Sequence, residues 1–138
     1  MKEISCGNYK NMNCVIINEG ELRHEMRDKN NSIEKLMKKF SKEQKVKNLV
    51  VTRGKEGALL YSKTKFVECS AFAETTIDKI GSGDAMLSLI SLFFKSGLTW
   101  ELSLLAGSLA AAQSTETIGN KESVNKEKIL KSLKHLLK

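Results

Sequence analysis

Apolar residues fall along this chain either in short continuous runs suited to buried strands or at the spacing of helices. Residues 13–17 (Asn-Cys-Val-Ile-Ile) form a short run rich in β-branched side chains, as in a strand buried in a parallel sheet. The run ends in Asn18-Glu19-Gly20-Glu21, so polar groups gather at the strand's carboxyl end, where open α/β sheets take their ligands. Asn31 and Ser32 can cap a helix, and Ile33, Leu36, Met37 and Phe40 at helical spacing predict one running to about Phe40 with this face in the core. Residues 46–52 read as the next strand and 53–57 as a turn. Residues 58–61 and 66–70 read as two shorter strands joined by the polar link Ser62-Lys63-Thr64. Three helices follow with no strand between them, over roughly 83–95, 99–114 and 125–137, punctuated by Gly97 and Gly119. Ala106, Ala110, Ala111 and Ala112 suit close packing within them. Proline is absent, and there is no internal repeat or low-complexity stretch, so residues 1–138 are expected to form a single α/β domain.

Composition narrows the function classes. A hydrophobic content of 41% is enough for a sizeable core. The formal charge of +7 raises the question of a polyanionic partner, but the lysines of 35–47 and 121–138 alternate with leucines or glutamates as solvated helix faces do. Aromatics make up only 6%, too few for stacking along single-stranded nucleic acid. The charge is better spent on phosphorylated metabolites, and no nucleic-acid partner is expected. Cys6, Cys14 and Cys69 show no metal or redox spacing, and an odd number cannot pair fully within one chain. Reduced thiols and a cytoplasmic location are the expectation. The first residues lack the apolar run of a signal peptide, and Ser, Lys or Gly interrupts each apolar stretch before it could span a bilayer, so no membrane partner is expected either.

The densest chemistry lies in residues 78–84, Asp-Lys-Ile-Gly-Ser-Gly-Asp, which run into the apolar stretch of the next helix. Gly81 and Gly83 lack a Cβ and let the chain turn tightly, laying amides against an anion. The first N–H groups of the following helix have no partner inside it, and its dipole favours negative charge there. A phosphoryl group would bind at such a point. Asp84 then falls in the first turn, within reach of a proton on an attacking hydroxyl. The plainer alternative is a loop-to-helix turn in which Asp84 is only a favourable first-turn acid.

Three separated features agree in order and type with one family. Residues 78–84 resemble the signature of the ribokinase-like (PfkB) carbohydrate kinases, Asn18-Glu19-Gly20-Glu21 resembles their Asn-x-x-Glu motif, and residues 51–57 (Val-Thr-Arg-Gly-Lys-Glu-Gly) are similar to their Val-Thr-x-Gly-x-x-Gly segment. A looser likeness links residues 105–112 and 119–124 to the helix and loop that close the family's adenine pocket. The Gly-x-x-x-Ser-Val part of that loop is closest to the heptose-phosphate kinase branch.

The resemblance implies a partial ribokinase-like three-layer α/β/α sandwich, its C-terminal portion without the lid. It implies ATP-dependent transfer of a phosphoryl group to a hydroxyl of a sugar or sugar phosphate. Asp84 would be the general base, with the amides of Gly81, Ser82 and Gly83 holding developing charge. Asn18 and Glu21 would orient water on Mg²⁺, Thr52, Gly54 and Gly57 would line the nucleotide, and Ala112 and Gly119 would belong to the adenine pocket. Asp78 would either help hold a monovalent cation such as K⁺, with carbonyls from Gly119 and Ser123, or only cap the loop.

Lys79, Ile80 and Ser82 depart from the family's usual small residues, and Gly107 stands where many members carry an asparagine near the nucleotide. Each assignment has a plain counterpart, namely polar residues closing a strand at Asn18 and Glu21, and an ordinary turn at 52–57. The side chains of Arg53 and Lys55 are expected to be solvated, His24 and His135 to lie on the surface, and Trp100 to serve packing. Family members are considerably longer, so the resemblance implies an excised piece, a truncated product or one part of a split enzyme. The alternative function is a non-catalytic nucleotide-binding or assembly module, as a homodimer or with an N-terminal partner half.

Overall fold

The structure, a computed structural model, describes residues 9–72, 82–115 and 124–137. Two compact units divide the chain, one formed by Met1–Arg53 with Leu59–Glu68, the other by Gly54–Ala58 with Cys69–Lys138.

In the first unit, β1 (Cys14–Asn18) and β2 (Asn48–Thr52) pair in parallel, with Cys14 opposite Asn48 and Asn18 opposite Thr52. β3 (Ala58–Ser62) and β4 (Lys65–Cys69) complete a sheet of order β1-β2-β3-β4. Lys63 and Thr64 join the last two strands with positive φ at both positions, 45° and 70°. That is the backbone of a two-residue hairpin, so the sheet mixes parallel and antiparallel pairs. α1 (Glu19–Glu25) follows β1 directly. α2 (Ile33–Gln44) starts where Ser32 Oγ accepts the Lys35 N–H, and it runs four residues past the expected end at Phe40. Lys45 closes it in the left-handed conformation, at φ 54°. One face of α2 is buried through Ile33, Leu36, Met37 and Phe40 while its lysines face water, as the periodicity requires. With Val15, Ile17, Leu22, Leu49, Val51 and Leu59 these residues make the core of the unit. Asn48 is buried at the start of β2, and its polar atoms are satisfied: Nδ2 donates to the Asn13 carbonyl at 2.6 Å and Oδ1 accepts from Ser62 Oγ at 2.7 Å.

The second unit is helical where described. α3 (Ser82–Lys95) packs on α4 (Trp100–Thr115) through Met86 and Ile90, each about 1% exposed. The helices approach at Gly107, where a Cβ would sit 2.6 Å from Ile90 Cγ1 and 3.2 Å from Met86 Cγ. Gly107 is therefore a packing residue, whose missing side chain permits that close approach. Phe94 and Trp100 stack with centroids 3.8 Å apart where α3 passes into α4. α5 (Lys126–Leu136) is capped by Asn125, whose side chain accepts the Glu127 and Lys128 N–H groups, while Asn125 N donates to Gln113 Oε1 of α4 at 3.0 Å.

Candidate active site

The carboxyl ends of β1 and β2 lie side by side, so Asn18 faces Thr52 across the parallel pair. Asn18 is at once the last residue of β1 and the N-cap of α1. Its side chain accepts the Glu21 N–H at 2.8 Å, and Glu21 Oε2 accepts the Asn18 N–H at 3.1 Å. This reciprocal capping box holds two backbone donors that a helix start leaves unpaired. A Cβ at Gly20 would sit 3.3 Å from Asn18 Oδ1, a tight contact. Both motif residues are exposed, and Glu21 Oε1 takes part in no hydrogen bond among the described residues. Among those residues no three His, Cys, Asp or Glu side chains gather as a metal cage. One exposed carboxylate beside an amide oxygen suits a hard cation that keeps most of its waters, so the donor set fits Mg²⁺ held through water.

Thr52 ends β2 and is half-buried. The next side chain corrects the sequence reading. Arg53 is not solvated: its side chain is 12% exposed, and Nη2 forms an ion pair with Glu68 Oε1 of β4. Lys55 is exposed as expected.

In the second unit, Gly54–Glu56 form a single 3₁₀ turn closed by Gly57 N donating to the Gly54 carbonyl at 3.1 Å. The two glycines serve different ends. Gly54 has φ +57° and nothing within 4 Å of its Cβ position, so it meets a conformational need and leaves its surface open. Gly57, at φ +88°, has no room for a side chain: a Cβ would strike the Cys69 carbonyl oxygen and lie 2.7 Å from Ala71 N. α3 begins at Ser82, placing Gly83 and Asp84 in its first turn. Space around Gly83 is open, and the exposed Asp84 carboxylate makes no hydrogen bond or ion pair to another described residue. Ala112 is buried on α4, 9% exposed. Asp78, Gly81, Gly119 and Ser123 lie outside the described residues. His24 and His135 are exposed, as expected.

Neither described cysteine looks nucleophilic. Burial pushes the Cys14 thiol up to about 11. It raises Cys69 as well, against a smaller opposing pull from the Ser108 hydroxyl.

Residues 8–127 match the model of the pfkB family carbohydrate kinases. The chain belongs to that family. It is 28% identical over 123 residues to the bifunctional protein HldE of Koribacter versatilis, covering 86% of this chain and 25% of HldE. Ribokinase from Thermotoga maritima superposes with a TM-score of 0.79 at 25% identity, over 91% of this chain and 43% of its own. Phosphofructokinase-2 from Escherichia coli, solved in complex with potassium, gives a TM-score of 0.79 at 20% identity over 94% of this chain and 42% of its own. The fold is thus α/β and a portion of the ribokinase-like fold. The chain spans a quarter of the length of HldE and somewhat over two fifths of the two solved kinases. No described helix is long and apolar enough to cross a membrane.

Within the pfkB frame, sequence reasoning missed α1 and the Arg53–Glu68 pair. The signal for α1 was present, because Asn-x-x-Glu before a helical run is itself a capping-box pattern. Arg53 and Glu68 are fifteen residues apart, and nothing in the local pattern joins them.

Proposed function

We propose that this chain carries the nucleotide side of an ATP-dependent kinase that phosphorylates a hydroxyl of a sugar or sugar phosphate. The observation that supports this most is the register of β1 and β2, which sets Asn18 opposite Thr52 and so joins two separate family motifs at one edge of the sheet. Thr52 and the open side of Gly54 accept the nucleotide, and Ala112 and Gly119 serve the adenine end. Asn18 and Glu21 hold the waters of Mg²⁺, which when bound neutralises phosphate charge. Asp78 serves a K⁺ ion, a reading encouraged by the potassium in the phosphofructokinase-2 structure. The amides of Gly81, Ser82 and Gly83 receive the transferred group's negative oxygens. Asp84 takes the proton of the acceptor hydroxyl as its oxygen bonds to the γ-phosphorus. The bond from that phosphorus to the bridging oxygen breaks, and ADP leaves. Reduced thiols accord with work in the cytoplasm.

Calorimetric titration with ATP and Mg²⁺ tests the reading. Saturable one-to-one binding that is lost when Mg²⁺ is chelated is expected, and absence of binding contradicts it.

A second reading, an assembly module without catalysis of its own, is favoured by α3. Leu87 and Phe94 lie seven residues apart on one side of that helix and remain 39% and 42% exposed. Sedimentation velocity would then show an assembly that Leu87→Glu dissociates, and a monomer at all concentrations contradicts it.

A further inference from the structure

We infer that Arg53, held by Glu68, is a positioning residue for the nucleotide edge, an inference that rests on the reading of Thr52 and Gly54 as nucleotide-lining. Arg53 sits between those two residues, directly after β2. Its partner Glu68 lies on β4, and β3 separates β2 from β4 in the sheet. Strands two apart in a sheet are roughly 9–10 Å from each other. Arginine and glutamate together cover that span, and the planar guanidinium offers a directed fork where lysine offers a point charge. The pair is unsymmetrical: the Arg53 side chain is 12% exposed and that of Glu68 is 64% exposed. A guanidinium so nearly covered has little water to fall back on, so the carboxylate helps to fix where it lies. An ion pair between two fully exposed side chains would constrain little. By tying the residue after Thr52 to the far strand, the pair holds the carboxyl end of β2, and with it Thr52, in place relative to β3 and β4. Preorganisation of this kind appears in ligand affinity, because the ordering is done before the ligand arrives.

The test compares the unaltered chain with Glu68→Gln, Arg53→Lys and the exchanged pair Arg53→Glu with Glu68→Arg, by titration with Mg·ATP and by amide hydrogen exchange. Glu68→Gln and Arg53→Lys are each expected to weaken ATP binding about two- to fivefold, the upper part of the range for loss of one partly exposed ion pair. Exchange should quicken at residues 52–57 and stay unchanged in α2, and the exchanged pair should recover most of the affinity. Equal affinity in all variants, quickened exchange throughout the first unit, or no recovery in the exchanged pair would each overturn the inference while leaving the nucleotide reading intact. No ATP binding by the unaltered chain would overturn both.

Discussion

Asn18 and Glu21, in the first unit, spend their polar atoms on each other and on the start of α1, whereas Asp84, in the second, points its carboxylate at no other described residue. The two acids occupy the same place in their helices, since Glu21 and Asp84 are both third residues, in α1 and α3. One is accounted for by local structure and the other is not. A motif that builds a capping box would persist in a protein without ligand, so Asn-x-x-Glu alone says little about chemistry. Among the described residues Gly83 and Asp84 have no such employment: a favourable interaction with the helix dipole is worth about 0.3–1 kcal/mol, and many residues could supply it. On the proposed function, the first motif has a double duty and the second a chemical one.

The largest test of that contrast is Asp84→Asn. Phosphoryl transfer to a sugar acceptor, followed by release of ADP, should fall about a hundredfold to ten-thousandfold, the usual value of a positioned base. Stability in urea should drop by no more than about 1 kcal/mol, and near-normal turnover would remove Asp84 from the reaction. The two glycines of the 3₁₀ turn sharpen the same distinction between structural and open positions. Gly57→Ala combines a strained φ with a clash against backbone and should cost about 2–4 kcal/mol. Gly54→Ala, which meets only the strain, should cost about 1–2 kcal/mol. Equal losses in chemical denaturation would refute the account of the space around them.

Glu21 can be split into its two duties. Glu21→Ala breaks a backbone hydrogen bond and should lower stability by about 1 kcal/mol. Glu21→Gln keeps an acceptor at the third helical position and should restore most of that loss while still weakening the Mg²⁺ dependence of ATP binding. If Gln and Ala behave alike in both measurements, the double duty is wrong. The smallest effect concerns the thiols, one described in each unit. Unfolded Cys14 ionises near its ordinary 9.0 and the folded thiol only near about 11. Between those values the native state binds more protons, so its stability falls as pH rises from 9 toward 11. At pH 10 the loss should be about 1 kcal/mol, and Cys14→Ala should flatten that part of the stability profile. An unchanged slope in the variant would deny Cys14 any role in it.

Much of the fold was legible in the sequence because its strands are short apolar runs and its helices are dense in apolar positions between polar or glycine breaks. β1, β2 and β3 and the three later helices fall within one or two residues of their expected bounds, with short apolar runs and the dense apolar positions of the helices as guide. α2 ran longer than expected because Ser41, Lys42, Glu43 and Gln44 continue the helix without a strong stop, and its end is set by Lys45 in a conformation lysine does not advertise. α1 escaped notice because only Leu22 of its seven residues is buried, leaving little hydrophobic period to see. The site was less legible where through-space contacts decide. Gly54 and Gly57 look equivalent in sequence, and only the backbone at Cys69, Ser70 and Ala71 distinguishes them. Arg53 looked solvated because its partner belongs to another strand.

The proposed function makes its claim on the nucleotide separately at Thr52, at Gly54 and at the first turn of α3. Amide hydrogen exchange with and without saturating Mg·ATP tests it most directly. The account predicts slowed exchange at residues 52–57 and 82–84, with α2 and α5 unchanged. Protection confined to other segments, or no protection at all, would contradict it.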